Sequence, residues 1–164
     1  MTARAPLVLG ADGLPQQLQS ADSLAITVTT VPIKLVTNGE SSAALVIGAP
    51  VYATATDTVK LARANAKATS GILGLGYDTT TAASGTGNIQ TDGTLVATTG
   101  QWDAVAGTTG GLIFNTLYFL DPSTAGKITS TVPTSSGVGQ CVVVIGRALS
   151  TTELELQIGQ PILL

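Results

Sequence analysis

Short stretches in which apolar and polar residues alternate run through most of this chain, and they predict β-strands. The segment 25–40, AITVTTVPIKLVTNGE, shows the pattern, and near the end of the chain Leu154 and Leu156 alternate with Glu153 and Glu155. A period of two residues gives a strand one apolar face. About ten such strands, separated by turn sequences such as Asn-Gly and Asp-Gly, predict an all-β fold.

The arrangement of these strands follows from the need to bury their apolar faces. Short antiparallel strands do so by closing into a barrel or by stacking a second layer. We therefore predict an antiparallel β-barrel or sandwich over residues 25–164, without a convincing amphipathic helix. Residues 1–24 hold no lasting period, so we predict an extended N-terminal arm there, with at most one helical turn at PQQLQ, residues 15–19.

One hairpin pattern occurs twice. The stretch TLYFLDPSTAGKITS places an Asp-Pro turn and an Ala-Gly between two strands, and PVYATATDTVKLA is a fainter copy upstream. Each is followed by a loop and an apolar strand that carries glycine. This predicts two related hairpin units within the domain, at about 50–78 and 116–149.

Each hairpin also carries a tyrosine and, beyond its turn, a lysine: Tyr52 with Lys60, and Tyr118 with Lys127. A lysine stem packs well along an aromatic ring, so the two members of each pair could lie side by side across the hairpin. One interpretation is a ligand pocket built twice. The simpler interpretation, which we favour, is a module used twice to close one barrel.

Composition narrows the choice of partners. Only 10% of the residues are charged and the net charge is −3, whereas a typical protein has ~25% charged residues. This favours a protein covered by neighbours, although a phage or extracellular origin would give the same composition. The few basic residues are scattered, which argues against a nucleic-acid partner. No apolar run approaches the ~18 residues of a membrane span, and a single cysteine excludes an internal disulfide.

Catalytic chemistry finds little support in the sequence. The chain has no histidine and one cysteine, Cys141, which removes the commonest general base and the usual zinc ligand sets. Glu153 and Glu155 share one face of a strand, and their alternation with leucines marks that face as solvated or as an interface. Trp102 could anchor a partner, stack on a sugar or fill a core. We predict no enzyme, no metal and no cofactor.

The C-terminal half resembles a module of tailed-phage virion proteins. In that module a "G-L-x-x-[GN]-x-x-Y-[FY]-L" strand leads to "K-[IL]-T", then to "V-x-x-[IV]-G-x-A-[LI]-S", and then to an amphipathic strand. The matching residues are 111–120, 127–129, 142–150 and 153–158. The opening RAPLVLGADGLPQQLQSADSL also looks like the start of phage structural proteins, so the resemblance covers about half of the chain.

The resemblance implies a head decoration (cement) protein or, alternatively, a tail-fibre or receptor-binding module that attaches to a host-surface glycan. We expect decoration, because the domain is small and an arm precedes it. The expected location is the outer surface of the phage head, after synthesis in the host cytoplasm. The expected partners are the major capsid protein and further copies of the chain in a trimer. The residues expected at these interfaces are Leu7, Val8, Leu9, Leu14, Leu18, Trp102, Glu153 and Glu155.

Overall fold

The computed structural model describes residues 31–134 and 139–164 and, in the N-terminal segment, two strands, β1 (Leu7–Leu9) and β2 (Pro15–Gln17). The chain divides into two compact units, Met1–Thr30 and Val31–Leu164. In the first unit β1 and β2 pair antiparallel. The helical turn predicted at residues 15–19 is therefore wrong for Pro15–Gln17. A neighbouring strand supplies backbone hydrogen-bond partners that one isolated helical turn lacks.

The unit Val31–Leu164 consists mostly of strands, so the predicted all-β fold class is confirmed. Its strands are β3 (Ile33–Asn38), β4 (Leu45–Val46), β5 (Pro50–Ala55), β6 (Thr58–Leu61), β7 (Ile72–Gly76), β8 (Thr80–Thr81), β9 (Thr86–Gln90), β10 (Thr94–Val96), β11 (Leu117–Leu120), β12 (Ile128–Thr129), β13 (Cys141–Val142), β14 (Val144–Ala148), β15 (Glu153–Leu156) and β16 (Ile162–Leu163). The helices of this unit are α1 (Lys67–Ser70) and α2 (Thr99–Ala106).

Five strands of the first half form a closed barrel in the order β3-β6-β5-β7-β9. Four of the five pairings are antiparallel. The fifth, between β3 and β6, is parallel and joins Thr37 to Thr58 and Asn38 to Val59. This parallel pairing closes the barrel. A short antiparallel ribbon of β4 and β8 accompanies it.

Five strands of the second half form a sheet in the order β10-β15-β14-β11-β12. Both sets follow one pattern when the five strands of each are numbered by their order along the chain. The first strand pairs with the fifth, the fifth with the fourth, the fourth with the second and the second with the third. The barrel adds a pairing between its third and first strands, and the second sheet does not. We call the second sheet the open sheet. Beside it, β13 and β16 form a separate two-stranded ribbon.

The barrel contains a β-bulge between β5 and β7. Val51 lies opposite Gly74, whereas Tyr52 lies opposite Ile72, so one residue of β7 has no direct partner. A bulge bends its strand and increases the local twist, which helps a short sheet to close.

The open sheet has the same bulge at the same place. Tyr118 lies opposite Gly146 and Phe119 lies opposite Val144. The registers therefore make Phe119 the counterpart of Tyr52 in the barrel. The sequence suggested that Tyr118 corresponds to Tyr52, and this correspondence is off by one residue. The two strands have similar aromatic sequences, and only the position of the bulge fixes which residues correspond.

Apolar side chains form two core clusters. The smaller one fills the barrel interior and consists of Val36, Leu45, Val51, Val59 and Ile89. The larger one joins the inner face of the open sheet to helix α2 and to the barrel wall, where Leu75 belongs to it. The open sheet thus buries its apolar face against the outside of the barrel and against the helix.

Helix α2 was not predicted from the sequence. It begins with a capping box: the Thr98 hydroxyl accepts a hydrogen bond from the Gln101 N–H at 3.3 Å, and the Gln101 side chain accepts one from the Thr98 N–H at 2.8 Å. It ends at Gly107, whose φ is 65°. These end signals, together with the burial of Trp102 and Val105, stabilise a helix that is only eight residues long.

Candidate interaction surface

Trp102 lies in the core and not at an interface. Its side chain is 0% exposed, and its indole N–H donates a hydrogen bond to the Thr152 carbonyl at 2.9 Å. Gly48 lies directly against the ring, where a side chain would not fit. The placement of Trp102 among partner or sugar contacts is therefore wrong. A helix of eight residues with one large apolar side chain gains most of its stability by burying that side chain.

Glu153 and Glu155 lie on the outer face of the open sheet, as their alternation with leucines predicted. Both are half-buried, whereas Leu154 and Leu156 are buried on the inner face. The Glu155 carboxylate accepts a hydrogen bond from Gln157 at 2.8 Å. This face remains available to a partner.

The predicted arm contacts can be placed only in part. Leu7, Val8 and Leu9 form strand β1, which pairs with β2. Leu14 and Leu18 lie outside the described residues. The role proposed for these five side chains stays a prediction.

The two tyrosine–lysine pairs differ. Tyr52 lies directly opposite Lys60 across the hairpin of β5 and β6. Tyr118 is buried, and its hydroxyl accepts a hydrogen bond from the Ile113 N–H at 3.0 Å. Lys127 instead reaches helix α2, where its ammonium donates to the Ala104 carbonyl. The second pair is therefore not side by side, because the register pairs Phe119 with Thr129 and Leu120 with Ile128.

Two aspartates beside turn residues accept backbone hydrogen bonds. Asp121 accepts them from the Ser123 and Thr124 N–H groups at 2.6 and 2.7 Å, which are local contacts of the kind that favour Asp in turns. Asp78 accepts one at 2.7 Å from the N–H of Asn88, ten residues further along the chain in β9.

Asp103 fixes the loop between α2 and β11. Its carboxylate accepts hydrogen bonds from Gly111 N–H at 2.7 Å, Gly110 N–H at 3.0 Å and the Thr108 hydroxyl at 3.0 Å. The Gly111 bond is the largest cause of a lowered pKa of the Asp103 carboxyl. Desolvation, the next largest effect, opposes it, and the bonds from Gly110 and Thr108 lower the pKa further. Within residues 31–134 and 139–164, no group of three or more His, Cys, Asp or Glu side chains is placed to hold a metal ion.

Exposed apolar side chains cluster on one side of the barrel, beside the polar residues Asn88 and Gln90. Cross-strand neighbours share a face of a sheet, and two rows of neighbours define this one. Ile33 lies beside Gln90, and Leu35 lies beside Asn88, which in turn adjoins Tyr77. Ile33, Leu35 and Tyr77 all point outward and are exposed, Leu35 to 63%. We call this surface, together with Val31 and Val96, the barrel face.

A cavity of about 300 Å³ lies at one edge of the barrel face. Its lining carries no charge and comprises Val31, Ile47, Tyr77, Gln90, Thr94 and Val96. Gln90 is 1% exposed, and its amide donates to the Asp92 carbonyl at 2.8 Å. Its side-chain oxygen is buried and has no hydrogen-bond partner among the described residues. A buried acceptor without a donor is uncommon and costs free energy.

The sequence contained a signal for the barrel face. In the stretch VPIKLV the apolar residues fall on both sides of the strand: Ile33 and Leu35 face outward, whereas Val36 is buried inside the barrel. A strand that is apolar on both faces needs cover on both. Gln90 had no comparable signal, because its burial depends on strands that are distant in the sequence.

Comparisons with known proteins give no family for this chain: no family model, no curated protein and no solved structure matches it. Among the described residues, no helix is long and apolar enough to cross a membrane.

Proposed function

We propose that this chain is a head decoration protein of a tailed bacteriophage, which binds the outer surface of the shell and stabilises it by bridging capsomers. The barrel face is the observation that supports attachment. Exposed apolar surface that is continuous and rimmed by polar residues usually marks a binding site. The resemblance of the C-terminal half supplies the class of protein, and its motifs coincide with β11, β12, β14 and β15.

The energetics fit a protein present in many copies. Burying several hundred Å² of apolar surface at about 25 cal/mol per Å² gives several kcal/mol per copy before the costs of association. A protein that bridges capsomers makes this gain again at each contact around the shell. In this proposal the partners are the major capsid protein and other copies of the chain in a trimer, and neither nucleic acid nor a membrane takes part.

The glycan-binding alternative loses its anchor. It assigned sugar stacking to Trp102, which is 0% exposed. Tyr77 is an exposed aromatic residue, but the amide group of Asn88 beside it donates to the Asp78 carboxylate at 3.1 Å, so these two polar side chains are engaged with each other. The barrel face therefore favours a protein partner.

The test is cosedimentation of the purified protein with expanded heads of the phage that encodes it, after the native protein has been removed. Leu35→Glu places a charge in the barrel face and should weaken binding at least tenfold, because an unpaired charge would be buried at the interface. Phe114→Glu is the matched control, since Phe114 is exposed to 71% in the segment before β11 and is not one of the residues of the barrel face. Failure of the unmodified protein to bind heads would reject the proposed function.

A further inference from the structure

Among the described residues, strand β10 leaves one edge of the open sheet unpaired. It is the terminal strand of the sheet, and of the described strands it pairs with β15 alone. The hydrogen bonds from Leu156 N–H to the Gly93 carbonyl and from Ala97 N–H to the Thr152 carbonyl fix which residues face β15. Bonded and non-bonded pairs alternate in an antiparallel ladder. The backbone N–H and C=O groups of Thr94 and Val96 therefore point away from β15.

These free backbone groups border the uncharged cavity. Thr94 and Val96 line it together with Gln90, whose buried side-chain oxygen also needs a donor. Val96 is exposed to 59%. Exposed edges that are both unpaired and apolar are templates for a further strand, and proteins usually protect them with charge, proline or a bulge. Strand β10 has none of these.

The surface continues beyond the cavity as a groove. Ile47 lines both this cavity and a second one, of about 370 Å³, which runs past Thr79 and Thr80 to Gln101 and Ala104 on helix α2. No charged side chain lines either cavity. An occupant must therefore be extended, uncharged and able to donate backbone N–H groups.

We propose that an extended segment of a second copy of this chain pairs with the open edge of β10 and donates a backbone N–H to Gln90. The chain supplies the required chemistry. Residues 23–30, which precede the barrel, contain no charged residue, and within them Ile26 and Val28 alternate with threonines. A segment of this kind adds a strand through main-chain hydrogen bonds and places alternate side chains in the groove. The inference rests on the proposed function and names the contact between copies.

The first experiment removes one edge donor without touching the sheet. Val96→Pro deletes an N–H that points away from β15, so the ladder with β15 stays intact. Val96→Thr, which keeps the N–H and the branched shape, is the control. Light scattering across a concentration series should show the dissociation constant of the oligomer rising at least tenfold for proline and little for threonine. Equal self-association by all three proteins, or an unmodified protein that is monomeric throughout, would overturn the proposal.

A second experiment covers the case in which the proline variant misfolds. A photoreactive residue at position 96 is cross-linked in a one-to-one mixture of unlabelled and ¹⁵N-labelled protein. The proposal requires mixed-isotope cross-links to residues 23–30. Cross-links confined to single copies, to a different segment, or to another virion protein would each overturn it. Head binding is measured separately, so strand pairing can hold when decoration fails and decoration can hold when strand pairing fails.

Discussion

The barrel and the open sheet have one strand order and one bulge, yet only the barrel closes. The difference begins at the last two residues of β3, Thr37 and Asn38, which pair with β6. The registers make Thr98 and Thr99 their counterparts in the second half. There Thr98 caps helix α2 through its hydrogen bonds with Gln101, and the chain leaves the sheet. Two residues thus decide whether a strand closes a barrel or starts a helix.

The same difference gives the two halves different surfaces. In the barrel, closure leaves no sheet edge beside β3, and the apolar residues Ile33 and Leu35 face outward on a complete wall. In the open sheet, α2 fills the core beside β12 with Trp102 while β10 keeps a free edge. A duplicated architecture can therefore present a different surface from each copy: exposed apolar side chains on the barrel and a free strand edge on the open sheet.

The largest predicted effect is a loss of stability in the open half. Trp102→Ala should lower the free energy of unfolding by about 4 kcal/mol, since it empties a fully buried site and deletes the bond to Thr152. Trp102→Phe keeps most of the volume and should cost about half as much. Chemical denaturation followed by circular dichroism measures both. A loss below about 1 kcal/mol for alanine would mean that α2 is not what completes this core.

The next largest predicted effect is a loss of stability at the point where the barrel closes. Asn38 is 0% exposed; its amide group donates to the carbonyls of Ala43, Thr81 and Ala82 at 2.9–3.1 Å, and its oxygen accepts from Glu40 N–H at 3.0 Å. Asn38→Ala leaves these groups without partners and should cost about 3 kcal/mol in urea denaturation.

Asn38→Asp separates hydrogen bonding from shape. Aspartate has nearly the same shape, but at neutral pH it turns an oxygen toward the same carbonyls. We expect it to destabilise the chain at least as much as alanine does. An aspartate variant as stable as the unmodified protein would show that volume, and not the amide donors, holds the barrel end.

These two sites illustrate what the sequence could predict. The alternation around Leu154 and the turn residues Asn38-Gly39 and Asp92-Gly93 are local signals, and they were enough for the all-β class. That the first half alone closes into a barrel was not predictable, because Asn38 meets Thr81 and Ala82 across more than forty residues of chain. No local pattern reports such a contact.

Helix α2 and the barrel face are intermediate cases. The capping box of Thr98 and Gln101 was visible in the sequence, but one turn of apolar residues, with Trp102 and Val105, is too short to give a clear helical period. The two-sided apolar pattern of VPIKLV was equally visible. That pattern indicated that both faces of β3 pack against something. In the fold, the described residues bury only the face that points into the barrel.

A smaller effect tests whether the halves are equivalent. A side chain at Gly74 would collide with the Gln90 carbonyl, and one at Gly146 with the Glu155 carbonyl. Gly74→Ala and Gly146→Ala should each cost about 2 kcal/mol, because the next strand must move. Gly71→Ala meets nothing within 4 Å and serves as the control. A smaller loss of stability for Gly146→Ala than for Gly74→Ala would show that a strand of the open sheet can move where one of the closed barrel cannot.

The smallest effect is a pH dependence confined to the open half. Hydrogen bonds from Gly111, Gly110 and Thr108 lower the pKa of Asp103 in the folded chain. A carboxyl group with a lowered folded pKa stabilises the fold above its unfolded pKa, and that contribution is lost as the pH falls through the folded pKa. The melting temperature should therefore decrease from about pH 4 downward. Asp103→Asn should flatten part of this decrease, while Asp57→Asn, which changes an exposed carboxylate of the barrel, should leave it nearly unchanged. If the two variants show the same acid profile, the loop after α2 does not depend on the Asp103 carboxylate, and the closed and open halves respond alike to acid.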